Sequence, residues 1–449
     1  MLAWAWACVN RWRKCALYSS ARLTQRATGG HHRLLLFCRN ELMDQGPHPR
    51  WWQHEPALER VVRDLVAAEL SAARPGRSLP PSASWPADLD LAADLGADSL
   101  DLMGAATALA DLLGFARAGM DDALLARTRL SDWVASARAS LAIDDSVLTF
   151  RSSGSSGAPK RCSHRLAGLW REVDELASLA PGRRRVLAAV PAHHIYGFLF
   201  TVLLPQACGA ALPVRDLRGA SPAALAGLAQ AGDLVVGHPD FWGQVAAVAP
   251  ALAPDVVGVS SGAPCPDRTA DGLHEGGLRL LQLYGSSETA GVGWRARAGE
   301  PYRMFSYWRR GAPEHTVERT LGGEAECFPL QDRLDWIDDT QFLPAGRIDQ
   351  AVQVGGTNVF PAYVAEVLAM HAGVVQCVVR LMRPDEGTRL KAFVVPAQGF
   401  APAQLRDELA SWLAARLTPA ERPAAFSFGP ALPRGPGGKP ADWIIDAWD

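Results

Sequence analysis

Residues 150–160 read FRSSGSSGAPK, a loop of small hydroxyl residues and glycines that ends in a lysine. Glycines allow backbone N–H groups to approach anionic oxygens, serines add further donors, and the lysine adds a positive charge. The loop therefore predicts a polyphosphate site, although such a stretch by itself is more often a flexible turn. The residues predicted to contact the phosphates are Ser153, Gly154, Ser155, Ser156, Gly157 and Lys160.

Composition is typical of a soluble globular protein, with 48% hydrophobic and 20% charged residues in a chain of 449. A formal net charge of −2 provides no basic field for nucleic acid, and no apolar run is long enough to span a bilayer. The eight cysteines include no C-x-x-C pair. We therefore expect neither a disulfide framework nor a zinc site, and we expect a cytoplasmic location.

Residues 1–42 differ from the rest of the chain because they are rich in Arg, Lys, Trp and His and carry almost no acid. Their apolar stretch, 2–9, precedes the basic residues Arg11, Arg13 and Lys14, which is the reverse of the order in a secretory signal. We expect this extension to be unstructured, or to be an error in assigning the start codon, with translation beginning at Met43.

Residues 56–141 carry helical periodicity. Apolar side chains from Leu58 to Leu70 recur every three or four residues, and helical patterns resume at 88–103 and near 130–141. Within this region, residues 95–100 read LGADSL. One interpretation is that Asp98 and Ser99 cap a helix, because both side chains accept hydrogen bonds from free N–H groups.

The segment LGADSL also closely resembles the modification site of acyl carrier proteins. The resemblance implies a small four-helix carrier-like domain over 56–141, in which Ser99 carries phosphopantetheine attached by a phosphopantetheinyl transferase. The alternative is a degenerate carrier-like domain that is used only for docking.

Beyond residue 144, short apolar runs alternate with helical stretches, which is the pattern of an α/β domain. Predicted strands at 186–190, 234–236, 256–259 and 278–283 each end in a polar, glycine-rich tip. Ligands of open α/β sheets bind outside the carboxyl ends of the strands, and the four tips would converge there.

The order and spacing of these tips resemble the adenylate-forming superfamily of acyl-CoA synthetases, aryl-acid ligases and peptide-synthetase adenylation domains. The resemblance implies a multidomain protein with a compact α/β adenylate-forming core over 145–348. A smaller, mobile α+β domain over 349–449 would follow it. The resemblance also implies ATP and Mg²⁺ as requirements, with coenzyme A or a phosphopantetheine as the acceptor.

The resemblance assigns a role to each motif residue. Glu288 would bind Mg²⁺, which prefers carboxylate and phosphate oxygens. Lys439 would reach both the substrate carboxylate and the α-phosphate and so reduce their repulsion. His194 would line the acyl site, and Asp349 would be the hinge between the domains. The residues expected at the nucleotide are Gly262, Ala263 and Pro264 on the adenine side, Tyr284, Gly285, Ser286 and Ser287 in the nucleotide motif, and Asp332 with Arg347 at the ribose.

Three of these roles have plainer alternatives: a solvated tail lysine for Lys439, a helix-starting carboxylate for Glu288, and a core histidine for His194. The chain also departs from the family pattern. Ser156 replaces the usual threonine, Asp332 follows Leu-Gln rather than Thr-Gly, and the subdomain that ordinary members carry before the phosphate loop is missing.

Such a compact core resembles aryl-acid ligases of aryl polyene pigment pathways; loss of activity is the alternative. We expect an enzyme of secondary metabolite biosynthesis that activates a carboxylic acid, such as a hydroxybenzoate or a cinnamate, as its acyl-adenylate. The acyl group would pass to a phosphopantetheine on Ser99, to a separate carrier protein, or to coenzyme A, and partners would include polyketide- or fatty-acid-type enzymes. A fatty acid is the alternative substrate, and a catalytically silent adenylate-binding scaffold is the alternative function.

Overall fold

A computed structural model describes residues 48–74, 76–120, 122–124, 126–152, 160–208, 211–434 and 441–445. The extension 1–42, the loop residues Ser153 to Gly157 and Lys439 lie outside the described residues. In the part of the chain that is described, no helix is long and apolar enough to cross a membrane.

The N-terminal segment forms three α-helices in its described residues: α1 Glu55–Ala73, α2 Ser99–Leu113 and α3 Leu130–Ile143. Helix α2 begins at a capping box, in which Asp98 accepts from the backbone of the first turn and Asp101 reaches back to the Asp98 N–H. It ends at Gly114, whose φ of 70° is the left-handed conformation that favours glycine.

The predicted separate four-helix bundle is not supported. The three helices bury their apolar faces in the same core as the sheet that follows, and helix α2 packs on strand β1, Val147–Ser152. Trp51, fully buried before α1, meets Phe198 edge-on at a centroid distance of 5.0 Å. The periodicity of α1 predicted a covered face correctly, but that face belongs to a core shared with the sheet rather than to a separate bundle.

The centre of the molecule is a nine-stranded sheet, counted over the described residues, in the order β13-β14-β9-β8-β7-β6-β5-β3-β4. Strands β4, β3, β5, β6 and β7 run parallel, and the others are antiparallel. Their bounds are β3 Arg185–Ala188, β4 Val214–Asp216, β5 Asp233–Gly237, β6 Val257–Ser260, β7 Arg279–Ser286, β8 Ala290–Arg295, β9 Tyr302–Met304, β13 Asp332–Trp336 and β14 Gln341–Arg347.

Both faces of the parallel strands are covered, which explains why β5 and β6 read as continuous apolar runs. One face joins the core shared with the N-terminal helices, and the other packs in a second core containing Trp242. Gly258 of β6 leaves room for Trp242, since a Cβ there would lie 2.7 Å from the indole. The remaining elements around the sheet are β2 Lys160–Arg165, α4 Leu166–Leu179, α5 Ile195–Phe198, a π-helical turn Leu199–Leu203, α6 Leu204–Ala207, α7 Leu225–Leu228, α8 Pro239–Val248, α9 Asp267–Glu275, β10 Arg309–Arg310, β11 Thr316–Leu321 and β12 Glu324–Pro329.

The C-terminal part forms a smaller α+β unit with a hydrophobic core of its own. Its bounds are β15 Val352–Val354, β16 Thr357–Val359, α10 Pro361–Ala369, β17 Val374–Leu381, β18 Leu390–Pro396, α11 Pro402–Ala414 and β19 Ala425–Phe428. Lys391 of β18 is fully buried, and its ammonium donates to Glu386 at 2.7 Å and to the carbonyl of Trp443 at 2.6 Å. The expected α/β core with a smaller C-terminal domain therefore fits the structure.

Candidate active site

The four predicted tips follow adjacent parallel strands, so they lie along one edge of the sheet. Tyr196, beyond β3, ties two of these strands together, because its hydroxyl lies 3.0 Å from the carbonyl oxygens of Gly237 and Val259. Gly262, beyond β6, has a φ of 89°, a conformation that side chains other than glycine rarely adopt. The edge offers a row of backbone groups and short side chains, as the sequence predicted.

Strands β7 and β8 form a hairpin whose turn carries Glu288. The Ser286 hydroxyl accepts from the backbone N–H groups of Glu288 and Thr289, both at 3.2 Å, and fixes the shape of the turn. Glycine is required at Gly285, since a Cβ there would lie 2.1 Å from the carbonyl oxygen of Ala290. The turn therefore holds the Glu288 carboxylate in a defined place on the strand edge.

Lys160, the last residue of the predicted phosphate loop, donates to Glu288 Oε1 at 2.7 Å. Burial is the largest influence on Glu288 and opposes its ionisation, but the hydrogen bond and charge of Lys160, together with hydrogen bonds from its own backbone and from Ser286, outweigh burial and hold the pKa of Glu288 below its usual value. The same bond raises the pKa of Lys160. The pair therefore places an ionised carboxylate and an ammonium side by side at the end of the loop.

The chemistry of this pair fits a magnesium nucleotide. Among the described residues, no three His, Cys, Asp or Glu side chains are grouped so as to hold a metal ion. Glu288 would thus be a single protein ligand, and Mg²⁺ commonly takes one or two carboxylates and completes its shell with phosphate oxygens and water.

The residues expected at the ribose also meet. The Tyr284 hydroxyl donates to Asp332 Oδ2 at 2.8 Å, and Asp332 pairs with Arg347 across strands β13 and β14. Arg347 in turn donates to Asp349 from Nε at 2.8 Å and from Nη2 at 2.5 Å. Burial is the largest influence on Asp349 and opposes its ionisation, but the hydrogen bonds and charge of Arg347 together with backbone N–H groups, including that of Ala351, outweigh it, so the pKa of Asp349 lies below the usual value. Tyr284, Asp332 and Arg347 therefore form one polar group, in which Asp332 is oriented by the hydrogen bond from Tyr284.

His194 lies beside His193, with ring centroids 4.2 Å apart. Burial lowers the pKa of both imidazoles; at His193 the neighbouring His194 and Arg218 lower it further, whereas at His194 the charge of Asp64 acts against burial. The preceding peptide is held by helix α1, because Asp64 accepts from the Ala192 N–H at 2.8 Å. Asp64 is itself buried and accepts from Arg218 at 2.6 Å. Both imidazoles are therefore neutral at pH 7.

Three buried groups at this site were not found by sequence reasoning: Asp64, His164 and Glu172. His164 lies 2.7 Å from the carbonyl oxygen of Ser287 through Nε2, and burial lowers its pKa to about 4, so the neutral imidazole donates this bond. Asp64 and Glu172 each stand within the apolar stripe of a helix. A charged residue inside such a stripe was the available signal.

Ser99 is exposed in the first turn of α2, and Asp98 rather than Ser99 caps the helix. Asp98 accepts from the N–H groups of Leu100 and Asp101, both at 2.9 Å. The capping interpretation therefore holds for Asp98. Beside Ser99, Leu100 is 77% exposed.

Comparison with known proteins decides the family. The AMP-binding enzyme family matches residues 95–319, and the AMP-binding enzyme C-terminal domain matches residues 363–439. The chain belongs to the AMP-binding enzyme family. The superfamily resemblance drawn from the motifs is thereby confirmed, and the matched region includes Ser99, which the sequence had suggested to be part of a separate carrier domain.

Two AMP-binding relatives are similar to this chain along almost their whole length. A 4-coumarate–CoA ligase of Halorhodospira halophila is 36% identical over 389 residues, covering 85% of this chain and 97% of the relative. A 4-coumarate–CoA ligase of Rhodobacter capsulatus is 38% identical over 403 residues, covering 86% of this chain and 100% of the relative. These relatives share the compact length, so the short segment before the phosphate loop is not peculiar to this chain.

Solved structures agree on the fold. A malonyl-CoA ligase with methylmalonyl-CoA and AMP bound has a TM-score of 0.51 at 22% identity, covering 64% of this chain and 71% of that one. An amide bond synthetase from Marinactinospora thermotolerans has a TM-score of 0.52 at 20% identity, covering 66% and 68%. Identities this low show the AMP-binding fold alone.

Proposed function

We propose that this protein is an ATP-dependent acid–thiol ligase that activates an aryl carboxylic acid as its acyl-adenylate and transfers the acyl group to coenzyme A. The observation that carries the proposal is the contact between Lys160 and Glu288 on the same sheet edge as the group Tyr284, Asp332 and Arg347. A phosphate-binding cation, a metal-binding carboxylate and a ribose acceptor are the parts that a magnesium nucleotide requires.

The first half-reaction joins two anions. A substrate carboxylate oxygen attacks the α-phosphorus of ATP, the bond between that phosphorus and the bridging oxygen breaks, and pyrophosphate leaves. Lys160, and Lys439 from the C-terminal domain, would offset the negative charge that gathers at the phosphates. Mg²⁺ held at Glu288 would neutralise phosphate charge. In the second half-reaction a thiolate attacks the acyl carbonyl and AMP leaves.

The acyl side of the site favours an aromatic acid. Tyr196 and Phe200 meet edge-on at a centroid distance of 5.3 Å, and they closely follow the neutral pair His193 and His194 in the chain. Aromatic rings contact such surfaces favourably in edge-on and offset arrangements. The relatives named 4-coumarate–CoA ligase, and a feruloyl-CoA synthase of an Amycolatopsis that is 28% identical over 344 residues, support the same class of acid. A hydroxybenzoate or a cinnamate is therefore the substrate to test first.

Pyrophosphate release tests the proposal. The protein is incubated with Mg²⁺, ATP and coenzyme A, and with 4-coumarate, ferulate, 4-hydroxybenzoate or octanoate in turn. We expect the aromatic acids to release pyrophosphate and Glu288→Gln to abolish the release. If octanoate is preferred, the protein is a fatty acyl ligase rather than an aryl-acid ligase. If no acid releases pyrophosphate, the remaining interpretation is an adenylate-binding scaffold without catalytic activity.

A carrier-bound phosphopantetheine is the second candidate acceptor. It is favoured by the exposure of Ser99 and by a fatty acid–[acyl-carrier-protein] ligase of Streptomyces coeruleorubidus, 36% identical over 142 residues, which are 31% of this chain and 26% of the relative. Intact-protein mass spectrometry after treatment with a promiscuous phosphopantetheinyl transferase and coenzyme A decides the point. A phosphopantetheine mass that Ser99→Ala abolishes would support self-loading. Its absence would leave coenzyme A or a separate carrier as the acceptor.

A further inference from the structure

Glu172 of helix α4 is a carboxyl that no motif assigns. It is 1% exposed and lies beneath the hairpin of β7 and β8. The Gly291 N–H donates to both of its oxygens, at 3.0 Å to Oε1 and 3.1 Å to Oε2. The fit is close, since a Cβ on Gly291 would lie 2.4 Å from Oε1.

The carbonyl of Gly291 is held as well. Trp308 Nε1 donates to it at 2.7 Å, and the Tyr307 hydroxyl donates to it at 3.1 Å. Gly291 pairs with Gly285 in the hairpin and is three residues from Glu288. Both the N–H and the carbonyl of Gly291, at the base of the turn, are therefore hydrogen-bonded to buried side chains.

We propose that Glu172 is a positioning residue that fixes the Gly291 peptide and thereby the Glu288 carboxylate for the magnesium nucleotide. The proposal rests on the proposed function for its substrate. Without Glu172, the buried Gly291 N–H would have no partner, which is energetically costly, so the turn would relax to satisfy it.

The charge of Glu172 follows from its surroundings. Burial raises its pKa to about 8, against the Gly291 hydrogen bond, Tyr307 and the charge of Arg319, while Glu175 acts with burial. Arg319 is largely engaged elsewhere, since it donates to Glu326 at 2.7 Å. At pH 7 the carboxyl is therefore protonated. Tyr307 interacts with this carboxyl, and because the Tyr307 hydroxyl donates to the Gly291 carbonyl, the protonated acid would donate to the Tyr307 oxygen.

The sign of the pH dependence is fixed. Because the folded pKa lies above the unfolded value of 4.5, Glu172 contributes a stability that is complete below pH 4.5 and lost as pH rises through about 8. The Gln side chain mimics the protonated acid, since its oxygen accepts from Gly291 and its amide group donates to Tyr307, but it does not titrate.

The experiment compares Glu172→Gln with Glu172→Leu from pH 6 to pH 9, with Glu408→Gln in the C-terminal domain as the control for loss of a charge. We expect the KM for Mg·ATP of the unaltered protein to rise severalfold between pH 7 and pH 9, because ionisation removes the proton that Glu172 would donate to Tyr307 and leaves a buried charge against the Gly291 peptide. The KM for Mg·ATP of Glu172→Gln should not change with pH. The KM for Mg·ATP of Glu172→Leu should be roughly tenfold higher at every pH, while its KM for coenzyme A is unchanged.

Thermal unfolding across the same pH range, with and without Mg·ATP, separates this proposal from the function. Glu172→Gln should unfold at a slightly higher temperature than the unaltered protein at pH 6, and the difference should widen as the pH rises to 9. If the unaltered protein releases no pyrophosphate, the proposed function fails while the unfolding comparison still reports on Glu172. An alkaline rise in KM that persists in Glu172→Gln, or a Glu172→Leu variant with an unchanged KM for Mg·ATP, would overturn the proposal.

Discussion

The N-terminal helices and the C-terminal domain both look separable in the sequence, but only the second has a core of its own. Helices α1, α2 and α3 bury their apolar faces together with strands of the central sheet. The C-terminal elements bury theirs against one another, around residues such as Val364, Leu390 and Leu405. The N-terminal segment is thus a structural part of the AMP-binding domain, and the C-terminal domain is built as a unit that could rotate without opening a core.

The largest expected effect uses a matched pair of fully buried leucines, Leu109 in α2 and Leu409 in α11. Truncating either to alanine should cost about 2–5 kcal/mol of unfolding free energy. We expect Leu109→Ala to lower the denaturant midpoint of the whole AMP-binding domain, and Leu409→Ala to affect a separate transition of the C-terminal domain. Tryptophan fluorescence and calorimetry would measure the two unfolding transitions. If Leu409→Ala also destabilises the central sheet, the C-terminal domain does not have a separate core.

The second prediction concerns activity instead of stability. If the C-terminal domain brings Lys439 to the nucleotide, Lys439→Ala should slow acyl-adenylate formation by roughly 10²–10³-fold, which is typical for losing one charge-stabilising donor. Acid-dependent release of pyrophosphate from ATP measures this step. Unfolding of the AMP-binding domain should be unchanged, and a variant with full adenylation would assign the step to other residues.

The smallest effects separate the two interpretations of LGADSL. Asp98→Ala should destabilise the protein by about 1 kcal/mol, since it removes the cap of α2. Ser99→Ala should change the stability by less than about 0.5 kcal/mol, because the side chain is exposed. Urea denaturation compares them. If Ser99→Ala is the more damaging of the pair, Ser99 has a structural role that the capping geometry does not explain.

The sequence allowed the sheet and its edge to be predicted, because buried parallel strands such as β5 are continuous apolar runs followed by glycine-rich tips. It did not reveal what covers α1, since the spacing of Leu58 and Val62 states only that one face is buried. Asp64 and Glu172 were not predicted from the sequence for a related reason. Their partners are backbone N–H groups 128 and 119 residues away, and no local pattern records such a pairing.

The shared core also sets an order of events during synthesis. The guanidinium of Arg60 in α1 donates to the carbonyl of Thr201 at 2.8 Å, across 141 residues of chain. At ribosomal rates, that separation keeps α1 without its partner for on the order of ten seconds. Helices α2 and α3 can pack on α1 earlier, so what stays uncovered during this time is the part of α1 that packs on the π-helical turn Leu199–Leu203. The yield of folded full-length protein should therefore depend on the supply of chaperones more strongly than the folding of the small C-terminal domain does.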